Sequence, residues 1–392
     1  MDTARKLDGL IEEISGSFGE KMISLRREIH REPELGFDTE KTAGKILAVL
    51  EGLPLEIETG VAENGIVATL KGGKDGPTVG LRADMDALPI YEETGLEFAS
   101  AVDGKMHACG HDAHTAMLVG AAHMLSQRRE DLSGTVKFFF QPAEEGGGGG
   151  KVMVNEGALN GVDSIFALHL WPGMEFGTSA TRPGAVMASA DKFEIEVKGT
   201  GGHGAMPHLT ADPVVVAAHI VTALQTLVSR EVDPNEPAVV TVGMIGAGSA
   251  FNIIPETAKI SGTVRSVSPE VRRFLPKRME ELAQGIAKGM RAEAKLDYTF
   301  SYPVTMNDPG SAAFALEVAS EVIGSEKVSE ADHPSMGGED FAFMLESVPG
   351  AYLWLGVGEV SGLHTPRFDF DERIMPIGAA LHTALALKKL GV

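Results

Sequence analysis

The amino-acid sequence predicts an α/β protein: a large domain built on a mixed open sheet flanked by helices, with a smaller α+β domain inserted into it. Three observations predict this. Short apolar runs at Val136 to Phe140, Ser164 to Leu168 and Tyr352 to Val357 are bounded by turn signals, as buried strands are, and helical spacings alternate with them. Between residues 183 and 303 the rhythm changes to β-α-β-β-α-β, the ferredoxin-like order of a small self-contained domain. After Asn307 the α/β alternation resumes, which divides the chain into 1–182, an insertion over 183–303, and 304–392.

Taken in order, Met22, Leu25 and Ile29 give a helix over Gly19 to Arg31 that must stop before Pro33. Asp38 or Thr39 can cap a second helix carrying Ala43, Ile46, Leu47 and Leu50 on one face, with Gly52 as its stop. Ile66 to Leu70 and Thr78 to Leu81 read as strands, and Asp84 and Asp86 follow the second directly, on one side of its end. A helix then runs through Met117, Leu118, Ala121, Met124 and Leu125. In the insertion, strands at Lys192 to Lys198, Ala238 to Ile245, Ala258 to Arg265 and Lys295 to Tyr302 alternate with helices at Ala211 to Ser229 and Pro269 to Arg291. Pro276 should kink the second of these helices or delay its start. A last helix from Asp371 to Leu390 closes the first domain.

A chain of 392 residues with 43% hydrophobic content can build two cores. Its formal charge of -21 repels phosphate backbones and anionic membrane surfaces, so neither nucleic acid nor membrane is an expected partner. The first residues, MDTARKLDGLIEEISGSFGEKM, lack the apolar core of a signal peptide. No stretch is expected to approach a membrane span, the most apolar candidate, Asp212 to Ser229, being interrupted by His219, Thr222, Gln225 and Thr226. One cysteine cannot pair within the chain, and together these features predict a reducing, cytoplasmic setting.

The chemistry concentrates in KMHACGHDAHTA, Lys105 to Ala116. Cys109, His111 and His114 are all metal-ligand types, Gly110 permits a tight turn, and Asp112 can orient an imidazole. A lone buried Cys is otherwise a small hydrophobe. PAEEGGGGG adds Glu144 and Glu145 after a strand, adjacent carboxylates suited to metal-assisted hydrolysis whose side chains a strand end would send to opposite sides. Its glycines suit close backbone approach rather than phosphate binding, because no Lys-Ser/Thr pair completes a P-loop. His169 and His364 follow two further strands, so four strand ends each deliver acid or imidazole, where open α/β sheets place ligand sites. His30 reads as structural or as support for a ligand, and His114 as support. Glu339 and Asp340 fall at a helix start, where the dipole favours acids regardless of function.

With these residues in view, the sequence resembles the metal-dependent aminoacylase and carboxypeptidase family, in its amidohydrolase branch of hippurate hydrolase, N-acyl-amino-acid amidohydrolases and auxin-conjugate hydrolases. LRREIHREPELGF, GLRADMDALP, MHACGHDAHTA, QPAEEG, LHLWP, GGHGAMPH, FNIIPETAKISGTVR, MGGEDFAFM and LHTPRFDF carry the resemblance over nearly the whole chain. It implies a pair of divalent ions, zinc, manganese, cobalt or nickel, on Cys109, His111, Glu145, His169 and His364, with Glu144 as catalytic base. It further implies that His203 binds the tetrahedral intermediate, that Asn252 and Arg265 contact the substrate carboxylate, and that the inserted domain serves as lid and homodimer interface. Peptidase branches carry a metal-binding His where this chain has Asp84 and a bridging Asp near Cys109, so Asp84 and Asp86 are assigned supporting roles; His114, one helical turn beyond His111, could equally stack or cap and is given a supporting role too. A thiolate ligand alters metal preference.

The implied activity is hydrolysis of the amide of an N-acyl amino acid. Two alternatives stand beside it: a dipeptidase or carboxypeptidase with the same chemistry, and a non-catalytic metal-binding scaffold, whose signature would be a lost base or ligand. All five ligand positions and Glu144 are filled.

Overall fold

The computed structural model describes Leu7 and residues 9–392. The polar N-terminal reading therefore falls partly on positions outside the described residues. The chain divides into two compact units: the larger takes the chain up to Gly184, then Met306–His333 and Asp340–Val392, and the smaller takes Ala185–Thr305 and Pro334–Glu339. The segment Pro334–Glu339 belongs to the smaller unit, which no compositional break in the sequence marks.

In the larger unit, α1 (Leu10–Arg31) begins nine residues before the expected start. Leu10, Ile14, Phe18, Met22, Leu25 and Ile29 bury one stripe, and the helix stops ahead of Pro33. Neither Asp38 nor Thr39 caps α2 (Glu40–Leu50) with its side chain; the Glu34 carboxylate accepts from the Lys41 and Thr42 amides instead. Strands β1 (Glu56–Val61), β2 (Gly65–Lys71) and β3 (Lys74–Asp84) precede α3 (His111–Gln127), which is buried on nearly every face and packs against α1. Then come β4 (Ser133–Gln141), α4 (Gly149–Asn155), β5 (Ser164–Trp171) and β6 (Ser179–Thr181).

The smaller unit holds β7 (Ala190–Lys198), α5 (Pro213–Thr226), β8 (Ala238–Ala247), β9 (Thr257–Ser266), α6 (Pro269–Gly289) and β10 (Glu293–Tyr302). Its sheet is antiparallel in the order β8-β9-β7-β10, as a ferredoxin-like order requires. The helix α6 starts at Pro269 and runs on through Pro276, so the start is not delayed. Ser268 caps it, and Val271, Leu275, Met279, Ala283 and Ala287 bury a continuous stripe that outweighs the missing amide. The span Pro213–Glu231 is, by length and composition, long and apolar enough to cross a membrane, contrary to expectation. Val216, Ala217, Ile220 and Leu224 explain part of that hydropathy, since they join the core of this unit.

The chain completes the larger unit with α7 (Pro309–Ile323), β11 (Val328–Glu330), β12 (Gly350–Gly356) and α8 (Ile374–Lys389). The eight strands lie in the order β1-β2-β4-β3-β5-β12-β6-β11. At its centre β4, β3, β5 and β12 are mutually parallel, so their C-terminal ends emerge at one edge.

One buried polar cluster ties α1 to the start of α3. Arg26 donates to Asp112 at 2.9 Å, and His30 reaches Asp112 through Nδ1 at 2.8 Å and Glu92 through Nε2 at 3.2 Å. Burial opposes the imidazolium, but the hydrogen bonds to Asp112 and Glu92 outweigh it and raise the His30 pKa from 6.5 to about 9. A pKa raised on folding adds stability that is fully present below 6.5 and lost as pH rises through 9. His30→Gln should therefore lower the thermal midpoint at pH 6, by a loss on the order of 3 kcal/mol. The gap between variant and wild type should close toward pH 10. A gap unchanged over that range in thermal scans would show that His30 folds neutral.

Candidate metal centre

The site grows from the ends of β3, β4 and β5, but not all of its groups come from strand ends as expected. Asp84 closes β3 and His169 lies near the end of β5. Cys109 and His111, by contrast, stand in the turn before α3 and at its first residue, and Gly110 between them takes the left-handed φ of 87° that a side chain would resist. His364 comes from the loop beyond β12, where its amide donates to the Ala108 carbonyl at 2.8 Å. Glu144 and Glu145 also lie past their strand. Ala143, at φ 58°, turns the chain between them and β4, so the turn and not the strand pleat directs the two carboxylates.

The groups converge. Ligand atoms of Cys109, His111 and His169 lie within 4.8 Å of one another, as do those of Cys109, Glu145 and His364, and those of His111, Glu144 and Glu145. His111 Nδ1 donates to the Asp86 carbonyl at 2.9 Å, and His169 Nδ1 to the Leu170 carbonyl at 2.7 Å. Both rings thus present Nε2 to the site, the tautomer a metal ligand needs. His169 Nε2 lies 3.4 Å from Cys109 Sγ. His111 Nε2 faces Glu145 Oε1 at 3.8 Å, and neither atom makes a hydrogen bond although both are buried. His364 Nε2 stands 3.3 Å from the same oxygen. Orphaned buried donors and acceptors are rare. A divalent cation among these thiol, imidazole and carboxylate groups would satisfy them, and the donor set suits one.

Electrostatics agree. Burial works against charge on His111, but Asp84, Asp86 and Glu145 outweigh it and hold its pKa at about 10. Burial pushes the Cys109 thiol well up, and Glu145, Glu144 and Asp84 push it further. A pocket whose carboxylates raise both an imidazole and a thiol is one that favours positive charge. Metal binding there must displace protons.

The supporting residues have defined work. His114 donates from Nδ1 to Asp84 at 2.6 Å and accepts the Leu170 amide on Nε2 at 3.0 Å, so both its nitrogens are committed and it supports β5 beside His169. Arg82 donates to the other Asp84 oxygen at 2.6 Å. Asp86 accepts the Glu144 and Glu145 amides on its two oxygens, at 3.0 and 3.2 Å. Asp112 orients His30 rather than a ligand. In the smaller unit, His203 is exposed and pairs in register with Ile253, next to Asn252, whose carbonyl accepts the Gly204 amide. Arg265 is half-buried there, and its Nη1 would lie 3.1 Å from a Cβ added to Gly338. Sequence reasoning missed Gln141 and Arg82, and read Asp340 as a dipole residue; it is fully buried and accepts from Arg82 at 3.0 Å. A buried acid paired with a buried arginine 258 residues away leaves no local signal.

Fold and site together define an α/β protein with a candidate metal centre at the C-terminal edge of a mixed sheet. The chain belongs to Peptidase family M20/M25/M40, whose model matches residues 80–388, and this bears out the resemblance drawn from the sequence motifs. It is 41% identical over 372 residues, 95% of this chain and 97% of the relative, to N-acetylcysteine deacetylase of Bacillus subtilis (strain 168). IAA-amino acid hydrolase ILR1-like 4 of Arabidopsis thaliana is 40% identical over 382 residues, 95% of this chain and 86% of that one. Among solved structures, the Bacillus subtilis YXEP protein, described as a dinuclear metal binding peptidase from the M20 family, superposes with a TM-score of 0.85 at 39% identity. That match covers 96% of this chain and 99% of the other.

Asp86→Asn tests how the two glutamates are held, because an amide must turn a donor toward one of two backbone amides that both need an acceptor. Bound metal should weaken by about 10- to 100-fold, as for a lost supporting partner. Titration with a competing chelator measures this, and unchanged affinity would remove Asp86 from the assembly.

Proposed function

We propose that this chain is a metal-dependent amidohydrolase that cleaves the amide of N-acyl amino acids, releasing a carboxylic acid and a free amino acid. The observation that carries the reading is Glu144, 7% exposed, beside a thiol–imidazole–carboxylate cluster in which His111 Nε2 and Glu145 Oε1 are buried without hydrogen bonds. The activities for which these relatives are named, on N-acetylcysteine and on an IAA-amino acid, support the substrate class.

Cys109, His111, Glu145, His169 and His364 would hold two divalent ions, whose identity is open among zinc, manganese, cobalt and nickel. When bound, such ions lower the pKa of a water and polarise a scissile carbonyl. Glu144 takes the attacking water's proton and delivers it to the departing amine. His203 donates to the developing oxyanion. Asn252 or Arg265 holds the substrate's carboxylate; Arg265 suits this, since burial lowers its pKa and no ion pair to it is present among the described residues. A reduced Cys109 fits a reducing compartment.

Glu144→Gln cannot accept the proton, so turnover of hippurate should fall by about 10² to 10⁴ with metal content unchanged. Glu145→Gln should lose metal and rate together. Metal analysis beside hydrolysis rates decides this, and two mutants at full rate would place the site elsewhere. Activity on a free dipeptide but not on hippurate would favour the peptidase reading, for which the YXEP description speaks.

We also propose a homodimer through the smaller unit. Its edge strand β8 exposes Met244 and Ile245, 72% and 57%, and Phe251 beyond it is fully exposed. Long apolar edges of this kind are rarely left unpaired. Light scattering should give twice the mass of 41.4 kDa, and Ile245→Lys should shift it toward monomer. A wild-type monomer at all concentrations would end the proposal.

A further inference from the structure

The loop from Pro142 to Gly149 carries the base and a ligand, yet its Gly146–Gly150 run has no side chains with which to hold itself. Glycine loops lose more conformational freedom on ordering than any other sequence. A catalytic base, however, must be held to within a fraction of an ångström. One side chain from a distant part of the sequence grips both ends of this loop. Asp340 Oδ1 accepts from Gln141 Nε2 at 2.7 Å, at the strand end, and from Arg82 Nη2 at 3.0 Å. Its Oδ2 accepts the Gly150 amide at 2.8 Å, at the helix start. The Asp340 amide itself donates to Glu144 Oε1 at 3.4 Å. Asp86 holds the middle of the loop through the Glu144 and Glu145 amides.

We infer that Asp340 is a positioning residue for Glu144, closing the glycine loop onto the end of β4, and that position 150 is glycine so that the main chain can reach it. A Cβ at Gly150 would fall 2.9 Å from the Asp340 carbonyl oxygen and 3.2 Å from its Cγ. Any side chain there wedges the loop off its anchor. The inference rests on the reading of Glu144 as the base.

The test uses two variants of the full chain. Asp340→Asn weakens the grip from the anchor's side, and Gly150→Ala weakens it from the loop's side while leaving the Arg82–Asp340 pair intact, so it carries the test if the first fails to fold. Amide exchange over the 142–150 segment should rise by about tenfold or more in each, since a local opening is being eased. The hippurate kcat should fall by about tenfold or more with KM little changed and metal retained. Placed in a Glu144→Gln background, neither should slow the enzyme by more than about twofold further, because residues acting through one group are not additive. Unchanged loop exchange overturns the inference, as do losses that multiply with Glu144→Gln. Loss of metal in step with kcat also overturns it, because Glu145 would then be the group that moved. If the wild type cleaves no N-acyl amino acid, or Glu144→Gln keeps full rate, the functional reading fails. Loop exchange still decides whether Asp340 holds the loop.

Discussion

Four carboxylates, Asp84, Asp86, Glu144 and Glu145, converge on buried imidazoles and a buried thiol, and that crowding of negative charge is the constraint on which the rest of the site depends. Like charges held together away from water repel strongly unless something positive lies among them. The protein supplies part of the answer through Arg82, whose guanidinium reaches Asp84, Gln141 and Asp340. The remainder is expressed as the raised pKa of His111 and Cys109. A site that holds protons so firmly has room for a cation that replaces them.

The fold meets this constraint by giving its histidines different hydrogen-bond partners. The two buried imidazoles presented to the cluster, His111 and His169, each have the other nitrogen tied to a main-chain carbonyl, and main-chain atoms of a sheet edge do not move independently. His114 is the contrast, since a carboxylate and an amide occupy both of its nitrogens. Two histidines three residues apart on α3 thereby have different chemistry. Their hydrogen bonds decide it, not their residue type.

How much of this was legible follows from the range over which each signal acts. Strand ends, the βαββαβ order and the ligand types are local, and the sequence shows them. The turn at Ala143 was not legible, because a left-handed φ at a non-glycine residue is imposed by surroundings rather than announced by composition. The delayed start offered for Pro276 did not occur, for a related reason: helix propensity is a weak prior, and a buried stripe on both sides of the proline overrides it. The acid of GGEDF was misread because a helix start explains an acid cheaply. Only the partners, Arg82, Gln141 and Gly150, show that this acid faces inward.

Those partners also give the glycine run its physical sense. Asp86 and Asp340 hold the loop by accepting main-chain amides, so no loop side chain is needed for its placement. Side chains would in fact obstruct it: a Cβ at Gly149 would fall 1.8 Å from the Pro142 carbonyl oxygen, and Gly148 takes a left-handed φ of 69°. The loop's flexibility as a peptide and its fixity in the fold are therefore one design, in which buried carboxylates provide order that the loop's own sequence cannot. The backbone of the adjacent glutamates is thereby placed by Asp86, independently of what their side chains meet.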